Sequence, residues 1–471
     1  MSRPGIIGLG AYAPRSYVTS DSFAEAWEGH AAAGIQRCAV PDGDEDALTM
    51  AWEASSRALD AAGQEPGDVV YLSFATTTPP VAEEDLAVRL ASTLGVPTDT
   101  RLSTTVASAR SGTDALVSAV EAGPWADGIG VVVAADVPRG TPDDAAGQAA
   151  GAGAGAIVLG AEGPGRIEAI GHGSAVSPGD RFRRPDEAVS DALGVTSYDR
   201  AAYQEAVVGA VEALSQWPTD VDAATIAAPN GKRPYRLADA LDLEPATITA
   251  GTTVHDLGYT AAADVLLGLA TARSAGAASV LAVGYGSGAG ADALYLEIDG
   301  VPVELSIDPI DQVGYSTYLR RRGELDGREL TGGGAYISLP TWRRGLPQRH
   351  RLEAGRCLDC DSLVFLPDGA CRHCGSTLGY ESVALDGTGT IETVTTITAG
   401  APPEFDAYQT RQGSFQTAIV ALDSPAGEAV SAPLMVVGPT VEPGDTVESI
   451  VRRIYTQEGL PRYGRKVTAR D

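Results

Sequence analysis

A helix, a strand and a second strand of small residues occur twice in the same order, and this duplication constrains the fold more than any other feature of the chain. In the first copy Gly112-Thr113 opens a helix through Leu116 and Val120, followed by strands at 130–134 and 151–159. In the second, Gly258-Tyr259-Thr260 opens a helix through Leu266, Leu267 and Leu269, followed by strands at 279–283 and 286–294. The alanines and glycines of the later strands let backbones approach closely in a crowded interior. Self-similarity of this kind marks a duplicated supersecondary unit. Around it the alternation continues, with strands at 6–10 and 69–74 and apolar residues at helical spacing over 46–62 and 86–94. Residues 1–302 therefore read as α/β, a mixed sheet covered by helices on both faces.

The texture changes after a connector at 303–345, which holds Arg320-Arg321-Arg322 and Gly332-Gly333-Gly334. Period-2 strands follow at 389–395, 415–422 and 433–437, separated by Asp386-Gly387 and Glu442-Pro443-Gly444-Asp445. This predicts a small all-β barrel of OB type over 381–471. Between connector and barrel, residues 346–380 hold Cys357-Leu358-Asp359-Cys360 and Cys371-Arg372-His373-Cys374. Each pair puts two thiolates on one tight turn, and two such turns close a tetrahedron around Zn²⁺. With sulfur at all four positions no water can bind, so the predicted zinc is structural. His373 is expected to face solvent and the lone Cys38 to be buried and inert. A total of 471 residues suits about three such domains.

Acidic residues dominate, 62 against 34 basic ones, for a net charge of −28. Lys232 and Lys466 are the only lysines. Such a field repels phosphate backbones, and the barrel strands read at 389–395, 415–422 and 433–437 lack interleaved aromatic and basic residues, so nucleic acid is not an expected partner. The tail Arg462-Tyr463-Gly464-Arg465-Lys466 is mildly basic. Dense carboxylates with almost no lysine suit a cytoplasm rich in salt, where screening makes self-repulsion tolerable. No segment reads as a signal peptide or membrane span, and clustered cysteines fit a reducing compartment, so a cytoplasmic location is expected.

Four motifs carry a resemblance: IIGLGAYAPR at 6–15, ARSGTDAL at 109–116, PNGK at 229–232 and VGYGSGAGADAL at 283–294. They resemble archaeal-type hydroxymethylglutaryl-CoA synthase, a condensing enzyme of the thiolase superfamily, across nearly all of residues 5–300. The resemblance implies a five-layered αβαβα fold of two duplicated halves. Residues 340–471 resemble the zinc-ribbon plus OB-fold proteins that accompany thiolases and are thought to receive the pantetheine arm of CoA. The family's chemistry needs a cysteine at a helix start, a histidine before Pro-Asn and a glutamate after the third strand. Residue by residue those positions fall at Ala109, Ala227 and Thr77, and Tyr259 replaces an asparagine.

An alanine cannot form a thioester, and neither Ser108 nor Ser111 has a base to activate it. Glu83, Glu84 and Asp85 read as a solvated helix start, and His255 as a structural histidine. Asn230, Lys232, Gly258 and Ser287 remain as candidate CoA or acyl contacts. The resemblance thus implies a non-catalytic subunit. It would bind acyl-CoA or pair with a catalytic thiolase-type subunit across the usual dimer face, its fused barrel guiding the CoA arm. The alternative is an active condensing acyltransferase using residues not identified in the sequence.

Overall fold

The computed structural model describes residues 3–177, 179, 181–185, 187–192, 196–216, 220–325 and 338–470. The glycine triplet at 332–334 lies outside the described residues. The chain divides into two compact units. The first runs to Pro41 and takes in Asp46–Ala91 and Val96–Tyr318; the second holds Asp42–Glu45, Ser92–Gly95 and Leu319–Asp471. Among the described residues no helix is long and apolar enough to cross a membrane.

Ten strands make the main sheet of the first unit: β1 (Gly5–Tyr12), β2 (Val69–Thr76), β3 (Arg101–Val106), β4 (Ile129–Asp136), β5 (Gly153–Gly160), β6 (Gly165–Ser174), β7 (Ala223–Ile226), β8 (Ser279–Gly286), β9 (Gly290–Glu297) and β10 (Val303–Ser306). Their order is β7-β8-β9-β6-β1-β5-β4-β2-β3, with β10 beside β1. The duplication is legible in this order. In the first half β2 runs parallel to β4, while β4–β5 and β5–β1 are antiparallel. In the second half β7 runs parallel to β8, while β8–β9 and β9–β6 are antiparallel. The halves join where Gly5 and Ile6 of β1 pair with β6.

Helix α1 (Ala47–Ala62) starts at Asp46, whose side chain accepts from the Leu48 and Thr49 amides in a capping box, and it ends at Gly63 with φ 62°. It covers the first half-sheet, and a Cβ on Gly10 would stand 2.3 Å from Ala54 O. Helix α3 (Thr196–Glu212) covers the second half-sheet in the same way, and a Cβ on Gly173 would stand 2.2 Å from Ala206 O. Between the half-sheets lie α2 (Ser111–Ala122) and α4 (Asp264–Ser274). Leu116 and Val120 of α2 share one core with Leu266, Leu267 and Leu269 of α4 and with Val132, Ile157, Val280 and Leu294 of the strands. The five layers are those of a duplicated thiolase-like αβαβα fold.

Two details differ from the sequence expectation. Helix α4 begins at Asp264 rather than at Gly258. Gly258 takes φ 75° and Ala261 takes φ 50°, so the chain turns through a 3₁₀ segment at Ala261–Ala263 first. In addition, 303–306 is not loop but the strand β10, parallel to β1.

In the second unit α5 (Leu339–Arg344) and α6 (Leu346–Arg351) precede a three-stranded ribbon of Glu353–Cys357, Leu363–Val364 and Tyr380–Ala384. A closed five-stranded barrel follows: β11 (Thr388–Ile397), β12 (Phe415–Asp423), β13 (Ala429–Val437), β14 (Thr446–Gln457) and β15 (Leu460–Ala469), in the order β11-β12-β13-β15-β14. Its core holds Ile391, Val420, Leu422, Ala432, Val447 and Val467. Helix α7 (Pro403–Gln412), absent from the sequence reading, connects β11 to β12. Lys466 is no solvated tail residue. It is 1% exposed and its Nζ lies 2.7 Å from Asp44 Oδ2.

Candidate functional site

Ala109 stands just ahead of Arg110, the N-cap of α2, and is half-buried. Ala227 follows β7, is 2% exposed, and its amide donates to Val283 O at 2.9 Å. Thr77 follows β2, and its amide donates to Asp136 Oδ1 at 2.8 Å. Residues beside or bonded to each position contact one segment, 260–264. A Cβ on Gly112, in the first turn of α2, would stand 2.1 Å from Ala262 O. Asp136, which holds the Thr77 loop, also accepts from the Ala262 amide at 2.9 Å through Oδ2. Asp264 accepts from the backbone of Ala228 and from the amide and hydroxyl of Thr260.

These two buried carboxylates were not anticipated from the sequence. The available signal was a lone acid closing the apolar strand β4, at the carboxyl end where α/β sheets gather their ligands. Asp136 Oδ1 accepts from Thr76 Oγ1 (2.9 Å), Thr78 N (2.9 Å) and Thr78 Oγ1 (2.6 Å) besides Thr77 N. Burial pushes its carboxyl above the usual range, against these hydrogen bonds. Burial likewise pushes Asp264 up to about 7, with Asp136 adding repulsion.

The flanking side chains are committed. Ser111 Oγ donates to Ser108 O at 2.6 Å. Arg110 Nε donates to Asp292 Oδ2 at 2.7 Å, and the same buried carboxylate takes Thr113 Oγ1 and His172 Nδ1. Ser287 Oγ accepts from the Arg181 amide at 3.0 Å, the Arg181 guanidinium lies 4.8 Å from the Tyr259 ring centroid, and Arg183 donates to Thr77 O. Glu83 and Asp85 are exposed and Glu84 pairs with Arg89 at 2.6 Å. Ala109, Ala227 and Thr77 present two methyl groups and a threonine hydroxyl, with neither thiol nor imidazole.

A cavity of about 510 Å³ lies in the same unit, lined by Gly34, Ile35, Gln36, Gly231, Lys232, Tyr235 and His255. Asn230 builds it rather than lining it, since its Oδ1 accepts from the Lys232 and Arg233 amides at 3.1 and 3.2 Å. That turn presses Gly231 onto Gly34, where a Cβ would stand 2.3 Å from Gly34 O. Lys232 is exposed on the rim. His255 is held on both sides, donating from Nδ1 to Gly34 O and facing Tyr235 Oη from Nε2 at 3.0 Å. Gly258, three residues beyond, packs on buried Cys38. Of the four candidate contacts only Lys232 reaches this cavity. Ser287 lies instead with the loop that packs on Ser108 and Arg110.

In the second unit the Sγ atoms of Cys357, Cys360, Cys371 and Cys374 all lie within 4.8 Å of one another. Two of the separations are 3.7 and 3.8 Å. A tetrahedron of sulfurs about 2.3 Å from one zinc has edges of about 3.8 Å, so the donors fit that ion. Hydrogen bonding by Ser362, from side chain and backbone, draws the Cys360 thiol down to about 6, toward the thiolate a metal requires. His373 is exposed and takes no part.

Residues 344–381 match the family described as ChsH2, rubredoxin-like zinc ribbon domain. The hydroxymethylglutaryl-CoA synthase of Methanopyrus kandleri is 30% identical over 307 residues, covering 62% of this chain and 86% of that protein. The synthase of Caldivirga maquilingensis is 30% identical over 341 residues, covering 68% and 97%. Among solved structures, MvaS in complex with 3-hydroxy-3-methylglutaryl coenzyme A aligns with a TM-score of 0.55 at 22% identity, over 71% of this chain and 95% of that one. An HMG-CoA synthase complexed with CoA aligns with a TM-score of 0.57 at 17% identity, over 71% and 94%. Identity at that level over most of both chains, joined to the duplicated fold and the four-cysteine ribbon, makes this protein a member of the hydroxymethylglutaryl-CoA synthase family with a fused zinc-ribbon and barrel unit.

Proposed function

We propose that this family member binds acyl-CoA without catalysing condensation and serves as a scaffold subunit of a thiolase-type assembly. The observation that carries the reading is the pair Ala109 and Ala227, methyl groups where the chemistry needs a nucleophile and the imidazole that orients the second thioester. Serine does not substitute, because Ser111 is spent on Ser108 O. The fold remains otherwise equipped for the ligand. The cavity beside Lys232 offers a cation and two aromatic rings to a nucleotide end. Loop 227–232 leads from it to the former catalytic centre, the direction a pantetheine arm would take. Coenzyme A bound to a solved relative supports the same ligand class.

In this reading zinc is structural and holds the ribbon, and the barrel is of OB type, a reading its 1-2-3-5-4 strand order favours. It guides the CoA arm toward a catalytic partner. Strand β3 ends the sheet and pairs only with β2 among the described strands, so its open edge suits pairing with such a subunit. The charge suits a salt-rich cytoplasm.

Incubation with radiolabelled acetyl-CoA followed by acid precipitation tests the catalytic half of the proposal. No retained label is expected, while equilibrium dialysis detects reversible CoA binding weakened by Lys232→Gln. Acid-stable label at a turnover-competent rate would instead establish an active acyltransferase. Co-purification from native extract in molar salt tests the partner: a thiolase-type subunit is expected, and recovery of a lone homodimer with synthase turnover excludes the scaffold role.

A further inference from the structure

The stretch 338–352 contains no acid and holds Arg343, Arg344, Arg349, His350 and Arg351, an unusual run in a chain of net charge −28. Helices α5 and α6 fold it around Trp342, which is 8% exposed. The Arg349 guanidinium lies 4.6 Å from the Trp342 ring centroid, and that of Arg462, from the basic tail, lies 5.2 Å from it. Arg462 on β15 stands directly opposite Tyr455 on β14 in the barrel register. Neighbouring cations are engaged elsewhere: Arg351 with Glu353, Arg344 with Asp368 at 3.9 Å, and Arg465 with His350 O at 2.7 Å.

Arg349 and Arg462 differ from these. No carboxylate pairs with either among the described residues, although the chain holds 62 acids. The Nε atoms of both are buried without a hydrogen-bond partner, and Tyr455 Oη faces the Arg349 guanidinium without a bond of ordinary geometry. Tyr455 is only 8% exposed, so bulk water does not satisfy its hydroxyl. Glu404 is the acid whose charge bears on Tyr455. Two of the buried arginine nitrogens left open thus meet at one tryptophan, and two planar forks with one hydroxyl match the oxygens of a tetrahedral oxyanion.

We propose that Arg349, Arg462 and Tyr455 form, around Trp342, a site in the second unit for a phosphate group carried by a small molecule. The site is distinct from the Lys232 cavity and does not depend on the acyl-CoA reading. Isothermal titration of the full, zinc-loaded chain with sodium pyrophosphate tests it, in the lowest salt at which circular dichroism shows the native fold. Saturable binding at one site is expected. It weakens about tenfold or more in Arg349→Gln and Arg462→Gln and several-fold in Tyr455→Phe. Arg462→Lys, which keeps the charge, falls between, and unchanged zinc content and circular dichroism confirm that the variants fold.

Arg343→Gln, at an exposed arginine of the same stretch, leaves the pyrophosphate affinity unchanged, whereas a loss there as large as in the Arg349 and Arg462 variants would reduce the binding to net charge and overturn the proposal. Absence of saturable binding, or an affinity in either Arg→Gln variant equal to that of the parent chain, also overturns it. Glutarate binding as tightly as pyrophosphate removes the phosphate assignment. Tighter binding of a single-stranded oligonucleotide removes the small-molecule one.

Discussion

Ala109 and Ala227, methyl groups where the proposed reading expects a nucleophile and an imidazole, each sit on a segment whose shape is set by other residues. Gly112 fixes the approach of α2 to Ala262 O, and the Ala227 amide is held by Val283 O. Restoring the thiol is therefore sterically undemanding. Ala109→Cys is expected to give a thiolate at a helix start and to acquire acid-stable label from acetyl-CoA, slowly, because Ala227 still supplies no imidazole. Mass spectrometry of the intact chain checks this, and an unlabelled variant with a titratable thiol would count against the residue assignment. Asp264 makes a second prediction. Its folded carboxyl titrates at about 7, well above the roughly 3.9 of an unfolded aspartate. The folded state thus holds the proton more tightly, so this group's stabilisation is complete below about pH 4 and is lost as the pH rises through 7. Asp264→Asn is expected to raise stability at pH 8, on the order of 4 kcal/mol at most, and to change little at pH 4. Calorimetric melts across that window check it; parallel pH profiles for variant and parent would refute it.

Among the elements, the turns and the metal ribbon are the most demanding. The PNGK turn brings the backbone of Gly231 against Gly34 and His255, leaving no room for a side chain. Gly231→Ala is expected to destabilise the first unit by about 1–3 kcal/mol and to weaken CoA binding by displacing Lys232, measured by denaturant melts and equilibrium dialysis. The ribbon is closed by four sulfurs and holds little apolar core of its own. Cys360→Ser or prolonged chelation is expected to release one zinc per chain and to abolish the protection of ribbon amides in hydrogen exchange. The CxxC spacing made this element legible in sequence because all four ligands lie on two local turns. Helix α7 was not legible: its acidic, weakly apolar face resembles a solvated loop, and Tyr408 is its buried side chain. The late start of α4 was missed for a related reason. Gly258 reads as a helix opener, whereas its positive φ and the reach of Asp264 back to Thr260 delay the first α-turn.

Across the whole molecule, net charge and duplication dominate. At −28 the chain repels itself unless salt screens it, so its melting temperature is expected to rise with KCl from tenths molar to molar concentration. A flat or falling series in scanning calorimetry would remove the inference of a salt-rich host. By itself the sequence determined the α/β duplication, the zinc ligands and the barrel. Periodicity and spacing within a few dozen residues encode all of these. Only the tertiary structure decided how the segments at Thr77, Ala109 and Ala227 are tied together. Asp136 joins the Thr77 loop, 59 residues back, to Ala262, 126 residues ahead, and Asp264 binds the backbone beside Ala227. It alone also left Arg349 and Arg462 without carboxylate partners around one tryptophan. Such contacts join residues remote in the chain, and their energetics come from burial, which no local pattern carries.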